Sequence, residues 1–95
     1  MEQALAMVNQ ALKYLPDQPA VYDTRGKILL RLGRTLEAIA DFERALPDRQ
    51  NPDKVHEHLA KAWEQAGNSQ KAAIHRAMVD ELRKKNAARS ATDGN

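Results

Sequence analysis

"GRTLEAIADFERAL", residues 33–46, is helical on inspection but incomplete by itself. A glycine opens the stretch, and Thr35 follows where a hydroxyl can accept free backbone N–H groups as an N-cap or in the first turn. Leu36, Ile39, Ala40, Phe42, Ala45 and Leu46 then recur at helical spacing. These six residues do not fit on one narrow stripe. A short helix that is apolar on more than one side needs neighbours on more than one side.

The breaks to either side come first. Pro16 and Pro19, Gly33, Pro47 and Pro52, and Gly67 with Asn68 punctuate the chain. The stretches between them predict helices at about 2–14, 20–32, 35–46, 53–66 and 69–86. Ser69 is expected, like Thr35, as an N-cap or first-turn residue, and Asp53 places a carboxylate at a helix start. Runs of β-branched or aromatic residues with period two are absent, so the class is all-α.

The breaks also carry a ruler. Gly33 and Gly67 are 34 residues apart, and the same step joins Ala4, Ala38 and Ala72. It joins Leu5, Ile39 and Ala73, then Ala11, Ala45 and Val79, and it relates Pro19 to Asp53. A fixed period of this size is the mark of a solenoid of helical hairpins.

The residues at that period resemble the tetratricopeptide repeat, whose pattern is W-x2-L-G-x2-Y, then A-x3-F, then P. Tyr22, Gly26 and Leu29 fill the Trp, Gly and Tyr positions of the middle unit, and Ala38 and Phe42 fill its A-x3-F positions. In the last unit Leu59, Ala60, Trp63 and Ala72 fill the Leu, Gly, Tyr and Ala positions; the first unit shows Ala4, Val8 and Pro16 alone. Arg25, His56 and Arg76 depart from the usual Leu, Trp and Phe, and Pro47 arrives early, so helix 35–46 should end short before a longer loop at 47–52. The resemblance implies antiparallel hairpins stacked as a short right-handed solenoid. Its units would be a half repeat at 1–18, repeats at 19–52 and 53–86, and a flexible tail at 87–95. Gly26 and Ala60 let the helices of a hairpin approach, Gly33 and Gly67 take the turns, and Trp63 is expected in the core.

Composition narrows the function. Fifteen basic and thirteen acidic residues nearly cancel, to +2, which supplies no strong field toward nucleic acid or membrane. No apolar run approaches the ~20 residues of a membrane span. The start, "MEQALAMVNQ", lacks the basic and apolar regions of a signal peptide. Cysteine is absent, which excludes disulfides and thiolate metal sites and fits a cytoplasmic location without requiring it.

The two ends differ. Helix 2–14 carries Ala4, Leu5, Ala6, Met7, Val8, Ala11, Leu12 and Tyr14, apolar nearly all round, without a hairpin partner in front of it. The expectation is that Met1 begins a piece of a longer repeat protein, or that a second copy covers the helix through Leu5, Met7 and Leu12. At the other end Arg76, Asp80, Glu81 and the run "RKKN" suit the solvated cap of an array.

The resemblance implies a non-catalytic interaction module: a scaffold or adaptor that holds a peptide or partner helix in a concave groove lined by helices 20–32 and 53–66. The groove candidates are Asp23, Lys27 and Arg31 with Lys54, Glu57 and Lys61. The 34-residue step sets Asp23 beside Glu57 and Lys27 beside Lys61, an acidic row and a basic row. The plainer reading is that Asp23–Lys27 and Glu57–Lys61 are i,i+4 surface pairs. Homodimerisation through the first helix is the alternative function.

Other chemistry is thin. No Ser-His-Asp set, phosphate-binding loop or convergent carboxylate pair is present. His56 and His58 lie roughly 200° apart around one helix, and His75 is on another, so no metal or cofactor is expected. His56 reads as a partly buried substitute for an aromatic. Arg83, Lys84, Lys85 and Arg89 lack the interleaved aromatics of a nucleic-acid surface and favour the helix dipole instead.

Overall fold

The computed structural model describes residues 2–16, 18–46 and 52–93, with residues 88–93 by backbone only. Five α-helices follow one another: α1 (Glu2–Tyr14), α2 (Pro19–Arg31), α3 (Thr35–Arg44), α4 (Pro52–Gln65) and α5 (Ser69–Asp93). Among the described residues there is no strand. Each helix packs on the next, most extensively within the pairs α2–α3 and α4–α5. The longer connection expected between α3 and α4, at 47–51, lies outside the described residues. The result is a helical-repeat solenoid of two hairpins, α2–α3 and α4–α5, with α1 stacked against the first.

Both hairpin turns are built the same way. Gly33 and Gly67 take φ of 81° and 87°, where a β-carbon is strained. In the first, the Gly33 N–H donates to Leu30 and the Arg34 N–H to Leu29; in the second, Gly67 donates to Glu64 and Asn68 to Trp63. This double bond pattern is the Schellman motif, which satisfies the last carbonyls of a helix before the chain reverses. The cap of α5 is Asn68, whose Oδ1 accepts the Lys71 N–H at 3.0 Å, and Ser69 is the first helical residue. Thr35 likewise lies just inside α3, and no side chain caps that helix.

Translation by 34 residues holds in three dimensions. Ala38 and Ala72 are both fully buried, as the close approach of two helices requires. Leu29, Ile39, Phe42, Ala45, Val55, Leu59 and Ala62 continue the core, and Leu5 of α1 joins it. Gly26 lies against the ring of Phe42, where an added methyl group would sit 2.5 Å from a ring carbon.

Three features refine or correct the sequence expectation. The short α3 ends at Arg44 rather than 46, in keeping with the early Pro47. Trp63 is half-buried at the edge of the core, with the Lys71 ammonium 4.3 Å above its ring. Third, α5 does not stop near 86 but runs to Asp93, over a stretch expected as tail. The physical reason is in the residues: "KNAARSATD" carries three alanines, Lys85 and Arg89, all strong helix formers, and no glycine or proline stands before Gly94.

Candidate interaction groove

The first helices of the two hairpins, α2 and α4, touch only lightly, and an opening of about 430 Å³ lies between them. Ala20, Asp23, Thr24 and Lys27 line it from α2; Lys54, Val55 and His58 line it from α4. Spacing of three and four along each helix puts these residues on one face. The Thr24 hydroxyl is turned back to the Ala20 carbonyl, at 3.0 Å. At the floor, His58 Nδ1 meets Asp23 Oδ1 at 2.8 Å, so the carboxylate is held across the gap. The His58 ring also tilts against Phe42, with centroids 5.4 Å apart, which anchors it to the core. Lys27 and Lys54 stand exposed on the facing walls.

A second opening, of about 320 Å³, lies within one hairpin, between α4 and α5. Glu57, Ala60 and Lys61 line it from α4, and Arg76, Val79, Asp80 and Arg83 from α5. Arg83 closes on the acidic side of α4: its Nη2 is 2.6 Å from Glu57 and its Nε is 3.6 Å from Asp53.

The structure thus places Asp23, Lys27 and Lys54 around the opening between the hairpins, and Glu57 and Lys61 around a different one, inside the α4–α5 hairpin; Arg31 is exposed at the end of α2 and lines neither. The i,i+4 pairs expected for Asp23 and Glu57 give way to longer-range partners, His58 and Arg83. Sequence reading missed His58. Its signal was its position about 200° from His56, which aims one histidine at α5 and the other at α2.

Of the residues assigned to self-association, Leu5 is 7 % exposed and packs into the core, and Leu12 is half-buried. Met7 is 73 % exposed. The apolar surface of α1 is therefore divided, one side spent on α2 and the other open.

Two polar clusters sit within the hairpins. Arg25 of α2 forks onto the buried Asp41 of α3, with Nε–Oδ2 2.6 Å and Nη2–Oδ1 2.8 Å, while its Nη1 donates to Asn9 of α1 at 2.9 Å. His56 and His75 meet with their Nδ1 atoms 2.9 Å apart. Their ring centroids are 5.1 Å apart and their planes 28° from parallel, so the rings lie edge to edge through an N–H···N bond rather than face to face. Burial lowers the pKa of both; the neighbouring ring lowers that of His75 further, and Glu43 opposes the shift. Among the described residues no three His, Asp or Glu converge as metal donors, and no helix is long and apolar enough to cross a membrane.

A family model described as tetratricopeptide repeat matches residues 2–55 and again residues 24–81. Two solved structures of mutants of the protein MamA are similar. One superposes with a TM-score of 0.78 at 32 % identity, over 87 % of this chain and 46 % of that one. The other gives 0.73 at 35 % identity, over 79 % of this chain and 55 % of that one. The chain therefore spans about half the length of these solved relatives. Among curated proteins none matches.

Proposed function

The chain belongs to the tetratricopeptide repeat family, and we propose that it is a non-catalytic scaffold or adaptor whose groove between α2 and α4 holds an acidic segment of a partner protein. The observation that carries this reading is the opening with Lys27 and Lys54 on facing walls and Asp23 already engaged by His58. A ligand carboxylate entering there meets two exposed ammonium groups, and the one carboxylate that would repel it is tied to an imidazole. Glu57 and Lys61 line the separate opening within the α4–α5 hairpin, where Arg83 holds Glu57, and Arg31 is exposed at the end of α2.

The test uses short fluorescent peptides that differ by one Asp-to-Asn exchange. The acidic peptide binds more tightly, and Lys27→Glu with Lys54→Glu removes the difference while circular dichroism stays unchanged. Equal affinity for both peptides, or a preference that survives the double substitution, overturns the reading.

A further inference from the structure

A separate opening, of about 400 Å³, is walled by three successive helices, α1, α2 and α3. From α2 it takes Arg25 and Leu29, on the side of that helix away from the groove residues Asp23 and Lys27. From α1 it takes Leu5 and Asn9, on the side that packs toward α2 and not the open side that carries Met7. Its chemistry is two-sided. Leu5, Leu29 and Ala40 give an apolar wall, while Arg25, Arg34 and Arg44 bring three guanidinium groups. Each guanidinium is held in place. Arg25 forks onto the buried Asp41; Arg34 pairs with Glu37 at 2.7 Å; Arg44 lies 3.9 Å from Asp41 and 5.6 Å from the centre of the Tyr22 ring. Asp41 and Glu37 are the two acids of the lining, so the three arginines leave one positive charge over. Arg34 and Arg44 keep 47 % and 61 % of their side-chain surface in water, which leaves donors of both open to a ligand.

The next repeat shows what such a place can hold. At a step of 34 residues Leu29 is replaced by Trp63, Ala40 by Ile74 and Arg44 by Met78. There an indole of the chain itself stands half-buried beneath the ammonium of Lys71, the counterpart of Glu37. In the first hairpin Leu29 is smaller than an indole and Ala40 smaller than isoleucine, and both line the opening. We propose that this opening binds a small aromatic carboxylic acid. Its ring lies on the apolar wall, as the indole of Trp63 does one repeat on, and its carboxylate meets Arg34 and Arg44 and balances the charge left over. The volume falls in the range of about 300–1,000 Å³ usual for small-molecule sites. Arginines already steadied by Glu37, Asp41 and Tyr22 lose little further freedom when the ligand arrives. The site is independent of the groove between α2 and α4.

Indole-3-propionate and its uncharged amide are the probes, each titrated against the whole chain by nuclear magnetic resonance. The acid binds more tightly than the amide, by about tenfold or more. Chemical-shift changes fall on the methyl groups of Leu5, Leu29 and Ala40. Arg34→Asn with Arg44→Met writes the residues of the second repeat onto two exposed positions of the first. It leaves the helical dichroism unchanged and removes the preference for the acid. Lys27→Glu with Lys54→Glu, which acts on the groove, leaves that preference as it was. Equal affinity for acid and amide, a preference that survives the two arginine substitutions, acetate bound as tightly as the aromatic acid, or shifts centred on Asp23 and His58 overturns the proposal.

Discussion

Arg25 and Asp41 are joined by two parallel hydrogen bonds, yet they are buried unequally: the arginine side chain keeps 21 % of its surface in water and the aspartate 2 %. The asymmetry fixes the order of the single mutants. Arg25→Ala leaves the buried carboxylate with only the more distant Arg44, whose Nη1 is 3.9 Å from its Oδ1, and should cost about 3 kcal/mol. Asp41→Ala leaves a guanidinium that can swing to solvent while keeping Asn9, and should cost about 1–2 kcal/mol. Urea denaturation of both variants checks the order, and a larger loss for Asp41→Ala would contradict the placement. The double variant Arg25→Leu with Asp41→Leu should recover much of the Arg25→Ala loss.

Gly26→Ala should destabilise in spite of the better helix propensity of alanine. The added methyl meets the Phe42 ring at 2.5 Å, and that ring is fully buried, so it can yield only by shifting the core around it. A loss of about 1–3 kcal/mol is expected, as for overpacked cores. Phe42→Leu combined with Gly26→Ala should cost less than the separate losses summed, which a double-mutant cycle reads directly.

Phe42 and Trp63 separate burial from size. Phe42→Ala removes a fully buried ring at the centre of the α2–α3 hairpin and should cost about 3–5 kcal/mol. Trp63→Ala removes a larger ring from the rim, where Lys71 covers it, and should cost about 2 kcal/mol. Thermal melts that rank the tryptophan above the phenylalanine would place the core wrongly.

Acid should loosen the α4–α5 hairpin. His56 and His75 bind protons less readily in the folded chain than in the unfolded one, because burial disfavours the imidazolium. The unfolded state therefore holds more protons below the ordinary imidazole value of about 6.5, and stability falls as pH drops through that value toward the lower folded-state ones. One proton is compatible with the pair as N–H⁺···N; a second is not, since both Nδ1 atoms would then donate. Replacing His75 with Gln should flatten the stability profile between about pH 7 and pH 5 relative to the parent chain. An unchanged slope would mean that the pair does not set the acid response.

The repeat was legible because few residue types can do what its turns and close contacts demand. Gly33 and Gly67 take a backbone conformation that other residues resist, and Ala38 and Ala72 sit where two helices leave no room, so both pairs surface in the sequence at one fixed step. The side-chain pairings were not legible. Arg25 with Asp41, His58 with Asp23 and Arg83 with Glu57 are 16, 35 and 26 residues apart, and which of several charges meet depends on helix rotation that spacing alone leaves open. The local i,i+4 pairs looked sufficient, and longer-range partners outcompeted them. The division of α1 into a spent side and an open side was hidden for the same reason, since Leu5 and Met7 differ only in which way they face.

The half-buried indole of Trp63 has a spectroscopic consequence. It is the only tryptophan in the chain, and it sits in the α4–α5 hairpin beneath a lysine ammonium. Its emission therefore reports the melting of one hairpin, while far-ultraviolet dichroism averages over all five helices. In an array held together by nearest neighbours, the two signals separate whenever one hairpin opens ahead of the other. The gap between their midpoints measures the coupling across the α3–α4 interface without any label or substitution.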